Sequence, residues 1–186
     1  MGSTHTSTAI PAPADWRELF SDWDSIRQGY PYVDEDEAVR DCVRRLGAAE
    51  PDLVPFWTLG LLMLAPQVAF GGPGPGVEDE FVAALRPLAH RDDDGSCTHG
   101  WHPYDIDVDE LLEQLPEILE ALTSPPPLDG LLPRELVPER CLEEGADGES
   151  EPVSLSAPDL LARWQCPRTA PGFARAALDY VFATVD

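Results

Sequence analysis

DLVPFWTLGLLMLAPQVAF, Asp52 to Phe70, is the one long segment of the chain that is apolar on every side. A helix without a polar face either fills a protein core or spans a membrane. Three features assign this one to a core. Thr58, Gly60, Pro66 and Gln67 interrupt the run, no second segment like it exists, and neither end carries the Arg/Lys flank of a spanning helix. Asp52 can cap its start, and Pro55 then falls in the first turn, where a missing N–H has no intrahelical partner to lose. Pro66 removes an interior hydrogen bond, so the expected helix covers residues 53–65 and ends or kinks there.

Amphipathic segments flank it on both sides. After a capping Asp15, the residues Trp16, Leu19, Phe20, Trp23 and Ile26 recur at helical spacing up to about Gly29. Asp34 and Glu37 form a D-x-x-E capping pair ahead of Ala38, Val39, Cys42, Val43 and Leu46, with Gly47 as the stop; Cys42 reads as core. The GGPGPG stretch at Gly71–Gly76 is a turn-forming linker. A phosphate loop is excluded there, because no Lys-Ser/Thr follows, two prolines remove amide donors, and Glu78, Asp79 and Glu80 would repel phosphate.

A helix over Val77 to Leu88 then turns Phe81, Val82, Leu85 and Leu88 inward. Asp107 and Glu110 open another through Leu111, Leu112, Leu115, Ile118, Leu119 and Leu122, which Pro116 bends or divides. Short helical turns over 128–142, an acidic loop over 143–152, a short strand at 153–155 and a helix from Ser156 follow. The last helix runs from Gly172 to Val185, with Phe173, Ala176, Ala177, Tyr180 and Val181 on one face. The expected fold is mainly α, a single-domain bundle of about six to seven helices around the central one, with long Pro/Gly-rich loops. Residues 1–13 read as a disordered leader and 14–186 as the helical domain.

Charge narrows the function classes. The 186 residues carry 12 basic and 35 acidic side chains, a formal charge of −23, and every basic residue is Arg. Such a surface repels phosphate backbones and anionic lipid, so neither nucleic acid nor membrane is an expected partner. A GC-rich genome or a salt-adapted cytoplasm would account for the composition; an acidic face that meets a basic partner is the functional account. The start, MGSTHTSTAIPAPA, has no apolar signal region, so the expected location is the cytoplasm, with Cys42, Cys97, Cys141 and Cys166 reduced. Gly2 and Thr6 match a myristoylation pattern only formally, since no polybasic segment accompanies them.

The stretch His90 to Asp109 gathers His, Cys, Trp and Asp residues in one irregular segment. Cys97, His99 and His102 are candidate zinc ligands, because imidazole and thiolate suit that ion and a loop can wrap it. The spacing lacks a Cys-x-x-Cys knuckle, so a fourth ligand would have to come from elsewhere. A cysteine nucleophile is disfavoured, because the surrounding acids oppose thiolate formation. No hydrolase, metalloprotease, Rossmann or Walker pattern is present. Enzymatic activity is therefore not the leading expectation, and the only cofactor in question is zinc. The leading expectation is an acidic binding protein that neutralises or escorts a basic protein, as an immunity protein does for a toxin or an acidic chaperone for its client. The alternative is a small metal-binding protein or metal-dependent enzyme built on Cys97, His99 and His102. Candidate partner-binding residues are Asp92, Asp93, Asp94, Glu143, Glu144, Asp147, Glu149 and Glu151 in irregular acidic stretches, with Trp101 and Tyr104 as aromatic anchors.

Overall fold

Short acidic side chains decide where three of the six described α-helices begin. The computed structural model describes residues 10–30, 33–71, 74–89, 101–123 and 169–184, and the fold is given for those. Asp15 accepts from the Glu18 N–H at 3.1 Å to open α1 (Trp16–Arg27), and Asp34 accepts from Glu37 at 3.0 Å to open α2 (Glu35–Gly47). Asp107 accepts from Glu110 at 3.0 Å to open α5 (Val108–Thr123). α3 (Val54–Phe70), α4 (Val77–Ala89) and α6 (Thr169–Ala183) complete the helices, and no strand occurs among the described residues. The fold is a single helical domain.

α3 is the axis. Its residues Pro55 to Pro66 and Val68 are buried, with α1, α2, α4 and α6 packed around it. Together with the 3-10 turn at Pro51–Leu53 it is long and apolar enough to cross a membrane, yet most of that stretch lies inside the domain. Its one buried hydroxyl is satisfied locally, since Thr58 Oγ1 donates back to the carbonyl of Val54 or Pro55. Gly60 allows the Trp23 ring to lie on the helix backbone, because a Cβ there would fall 2.6 Å from the ring. Trp16, Phe20, Trp23, Phe56 and Trp57 form a continuous aromatic seam between α1 and α3, with Trp16 5.1 Å from both Phe56 and Trp57, centroid to centroid. Pairs at such distances add about 0.5–1.5 kcal/mol each beyond their area burial.

Two sequence expectations about α3 are corrected. Asp52 does not cap it; the chain enters through the 3-10 turn, with no side-chain cap. The helix does not end at residue 65 but continues through Pro66 to Phe70, where the Gly71 N–H closes on Gln67 O at 2.8 Å. Proline costs an isolated helix interior about 3 kcal/mol. Here the ring itself and Val68, two residues on, are both buried, and burial of apolar side chains recovers about 1.5–3 kcal/mol apiece.

Pro116 is passed by a different device. In α5 its missing N–H orphans the carbonyl of Leu112, and the Arg17 guanidinium of α1 donates to that oxygen at 3.3 Å. One arginine thereby keeps α5 continuous and ties it to α1. Cys42 is buried in α2 as expected, its thiol pointing at Trp57 O at 3.2 Å. Burial, followed by the neighbouring Asp41 charge, holds the thiol well above its ordinary pKa. The last helix begins three residues earlier than expected, at Thr169, with Pro171 in its first turn. The turns at 128–142, the acidic loop at 143–152, the strand at 153–155 and the helix from Ser156 lie outside the described residues.

Candidate functional site

The segment 101–107 lies against α6 at one side and α1 at the other. Arg27, the last residue of α1, is buried and donates through Nη1 to the carbonyls of Pro103 and Ile106, the latter at 3.1 Å, while Nη2 meets the Asp24 carboxylate. Within the segment the Asp105 N–H donates to His102 O at 3.0 Å, which closes a tight turn around the buried Pro103. An irregular stretch is thus given fixed geometry by one guanidinium and one turn. Charge-assisted bonds of this kind are roughly twice as strong as neutral ones.

That geometry sorts the aromatic candidates. Trp101 is half-buried, its ring 4.8 Å from Phe173 of α6 and edge-on to it. Three residues later Tyr104 is 51% exposed. Its ring stands 5.7 Å from His102 and 6.4 Å from Tyr180, and His102 and Tyr180 are 5.3 Å apart. Phe70, the last residue of α3, joins from the far side at 5.9 Å from Tyr180 and is 65% exposed. The result is a surface cluster of four rings centred on Tyr180.

Polar groups fix the orientation of these rings. The Tyr104 N–H donates to His102 Nδ1 at 3.3 Å, which fits the tautomer carrying its proton on Nε2. The Tyr180 phenol is pushed up to about 12, first by burial, then by the hydrogen bond its hydroxyl donates to the Tyr104 side chain and by that residue's charge when ionised. Asp105 and Asp179, each next in sequence to a ring of the cluster, are both exposed.

Of the sequence-predicted site residues, Trp101, His102 and Tyr104 fall within the described part of the chain; His102 and Tyr104 come together there, while Trp101 turns to Phe173. Asp92, Asp93, Asp94, Cys97, His99, Glu143, Glu144, Asp147, Glu149 and Glu151 lie outside it. Among the described residues no group of three or more His, Cys, Asp or Glu side chains is gathered as a metal site would require. Phe70 and Tyr180 were missed by sequence reasoning. The available signal was position: each is an aromatic in the last turn of its helix, where neighbours that would cover it run out.

Several arginines tie separate segments of the chain together. Arg17, Arg27, Arg40, Arg45 and Arg175 each donate to a backbone carbonyl, of Leu112, Pro103, Pro75, Pro11 and Ala89 respectively. Among the described residues no Asp or Glu is buried. α5 carries Asp109, Glu113, Glu117 and Glu120 along its exposed side, with no basic residue anywhere on the helix. Like charges four apart on a helix destabilise it by about 0.2–0.5 kcal/mol per pair. No known protein family, curated protein or solved structure matches the chain.

Proposed function

We propose that the protein binds a basic protein partner, neutralising or escorting it, with its acidic surface guiding approach and exposed aromatics anchoring the complex. The observation that supports this reading is the excess of acid outside the core: the chain has a net charge of −23, and among the described residues no Asp or Glu is buried. The outward field is therefore strongly negative. Such a field speeds encounter with a cationic surface and disfavours acidic competitors. The acids at Asp92–Asp94 and over 143–151 add to the same sign.

The test is capture of partners from native lysate at low ionic strength, followed by association and dissociation rates for each recovered protein at several salt concentrations. A basic partner whose association rate falls with salt, and falls again on neutralising Asp92, Asp93 and Asp94 to Asn, is the expected outcome. Recovery of no basic protein, or rates indifferent to both changes, overturns the reading.

A further inference from the structure

We propose that the cluster of Phe70, His102, Tyr104 and Tyr180 is the seat of a cationic side chain, an arginine presented by the basic partner. This rests on the basic-partner reading and names where its anchor sits. Four rings with centroids 5.3 to 6.4 Å apart gather around the half-buried Tyr180, and Phe70, His102 and Tyr104 are exposed. A guanidinium within about 6 Å of such a ring is drawn to the negative face of its π-system, and arginine makes the contact more often than lysine. The fold already uses this interaction internally, where the Arg45 guanidinium lies 5.4 Å from the Trp57 ring.

Charge complementarity selects the occupant. Asp105 and Asp179, the exposed sequence neighbours of Tyr104 and Tyr180, add negative charge beside the rings, which favours a cationic occupant. A second copy of this chain would bring another net charge of −23 to the same face and is disfavoured by repulsion. A purely apolar ligand would bury the Tyr104 and Tyr180 hydroxyls and the His102 ring nitrogens, at a cost that a cation avoids.

The experiment titrates protein carrying isotope-labelled tyrosine rings with nona-arginine at fixed low salt, followed by NMR. The Tyr104 and Tyr180 ring signals are expected to shift together. Those of Tyr30, which is 68% exposed but makes no ring contact with the cluster, are expected to stay in place. Tyr104→Ala should weaken binding about two- to fivefold, while Tyr104→Phe, which keeps the ring, should leave it near the parent value. Binding with unmoved Tyr104 and Tyr180 signals and an unchanged Tyr104→Ala affinity overturns the site and leaves the basic-partner reading standing. Absence of nona-arginine binding overturns both. Concentration-dependent dimerisation that shifts the same two rings without peptide assigns the face to a second copy and overturns the proposal.

Discussion

Two aromatic clusters in this molecule are built from similar rings at similar distances and have opposite fates. The seam of Trp16, Phe20, Trp23, Phe56 and Trp57 is buried between α1 and α3, with centroid separations from 5.0 to 6.4 Å. The cluster around Tyr180 has separations from 5.3 to 6.4 Å and stands largely in solvent. What differs is the support. In the seam every ring projects from one of two helices packed against each other, whereas around Tyr180 the rings come from two helix ends and a turn. Ring pairing alone therefore does not create a core; a continuous opposing surface does. Three of the four exposed rings also carry a hydroxyl or an imidazole nitrogen, so solvent costs them less than it would cost the rings of the seam.

The sharpest way to break the contrast is to put a charge into the axis. Leu62 is fully buried, and Leu62→Asp leaves an unpaired carboxylate there, at a cost of several kcal/mol. Loss of the cooperative unfolding transition in circular dichroism is expected, and a thermal midpoint equal to the parent's would refute the placement of α3. Arg27→Ala tests the connection between the two clusters. It strands the carbonyls of Pro103 and Ile106, so we expect a loss of about 1–3 kcal/mol, with faster amide exchange over residues 104–108. Protection unchanged in that segment would mean that Arg27 does not hold it.

A smaller effect is expected from Gly60→Ala. The new Cβ meets the Trp23 ring at 2.6 Å, and overpacking of this kind costs about 1–3 kcal/mol. Alanine returns about 1 kcal/mol of helix propensity. The balance is a modest destabilisation with an altered near-ultraviolet signal from the seam, and a raised midpoint would show that Trp23 moves aside freely. The smallest effect distinguishes the outer cluster by titration. The Tyr180 pKa is raised from its ordinary 10.0 to about 12, so its contribution to stability is complete below pH 10.0 and is lost as pH climbs toward about 12. Tyr180→Phe should flatten that alkaline limb, and an identical limb in the variant would place the titration elsewhere.

Much of the fold was legible because capping and periodicity are local. Asp15, Asp34 and Asp107 announce helices that begin within a residue of where they stand. The end of α3 was not legible, since a local rule for Pro66 competes with burial of the ring and of Val68 by helices distant in sequence. The outer cluster was half legible. Tyr104 stood out as an aromatic in a polar stretch and is exposed, whereas Trp101 from the same stretch turns toward Phe173. Tyr180 was assigned inward by its spacing from Phe173 and Ala177. Periodicity gives the direction of a side chain but not whether a neighbouring helix reaches that far.

The arginines that close onto backbone carbonyls have a consequence for how the molecule responds to its medium. A guanidinium does not lose its proton in the accessible pH range, and its bond to a carbonyl oxygen needs no counter-charge that acid could remove. The tie from Arg17 to Leu112 and those from Arg27 to Pro103 and Ile106 are also shielded in part from solvent ions. The repulsion among surface carboxylates is, by contrast, screened over a Debye length of about 8 Å at physiological ionic strength. Added salt therefore relieves strain between the outer charges and leaves the inner ties in place. For the proposed cationic partner it would act the other way, removing the long-range pull, so that salt would set occupancy while the scaffold holds.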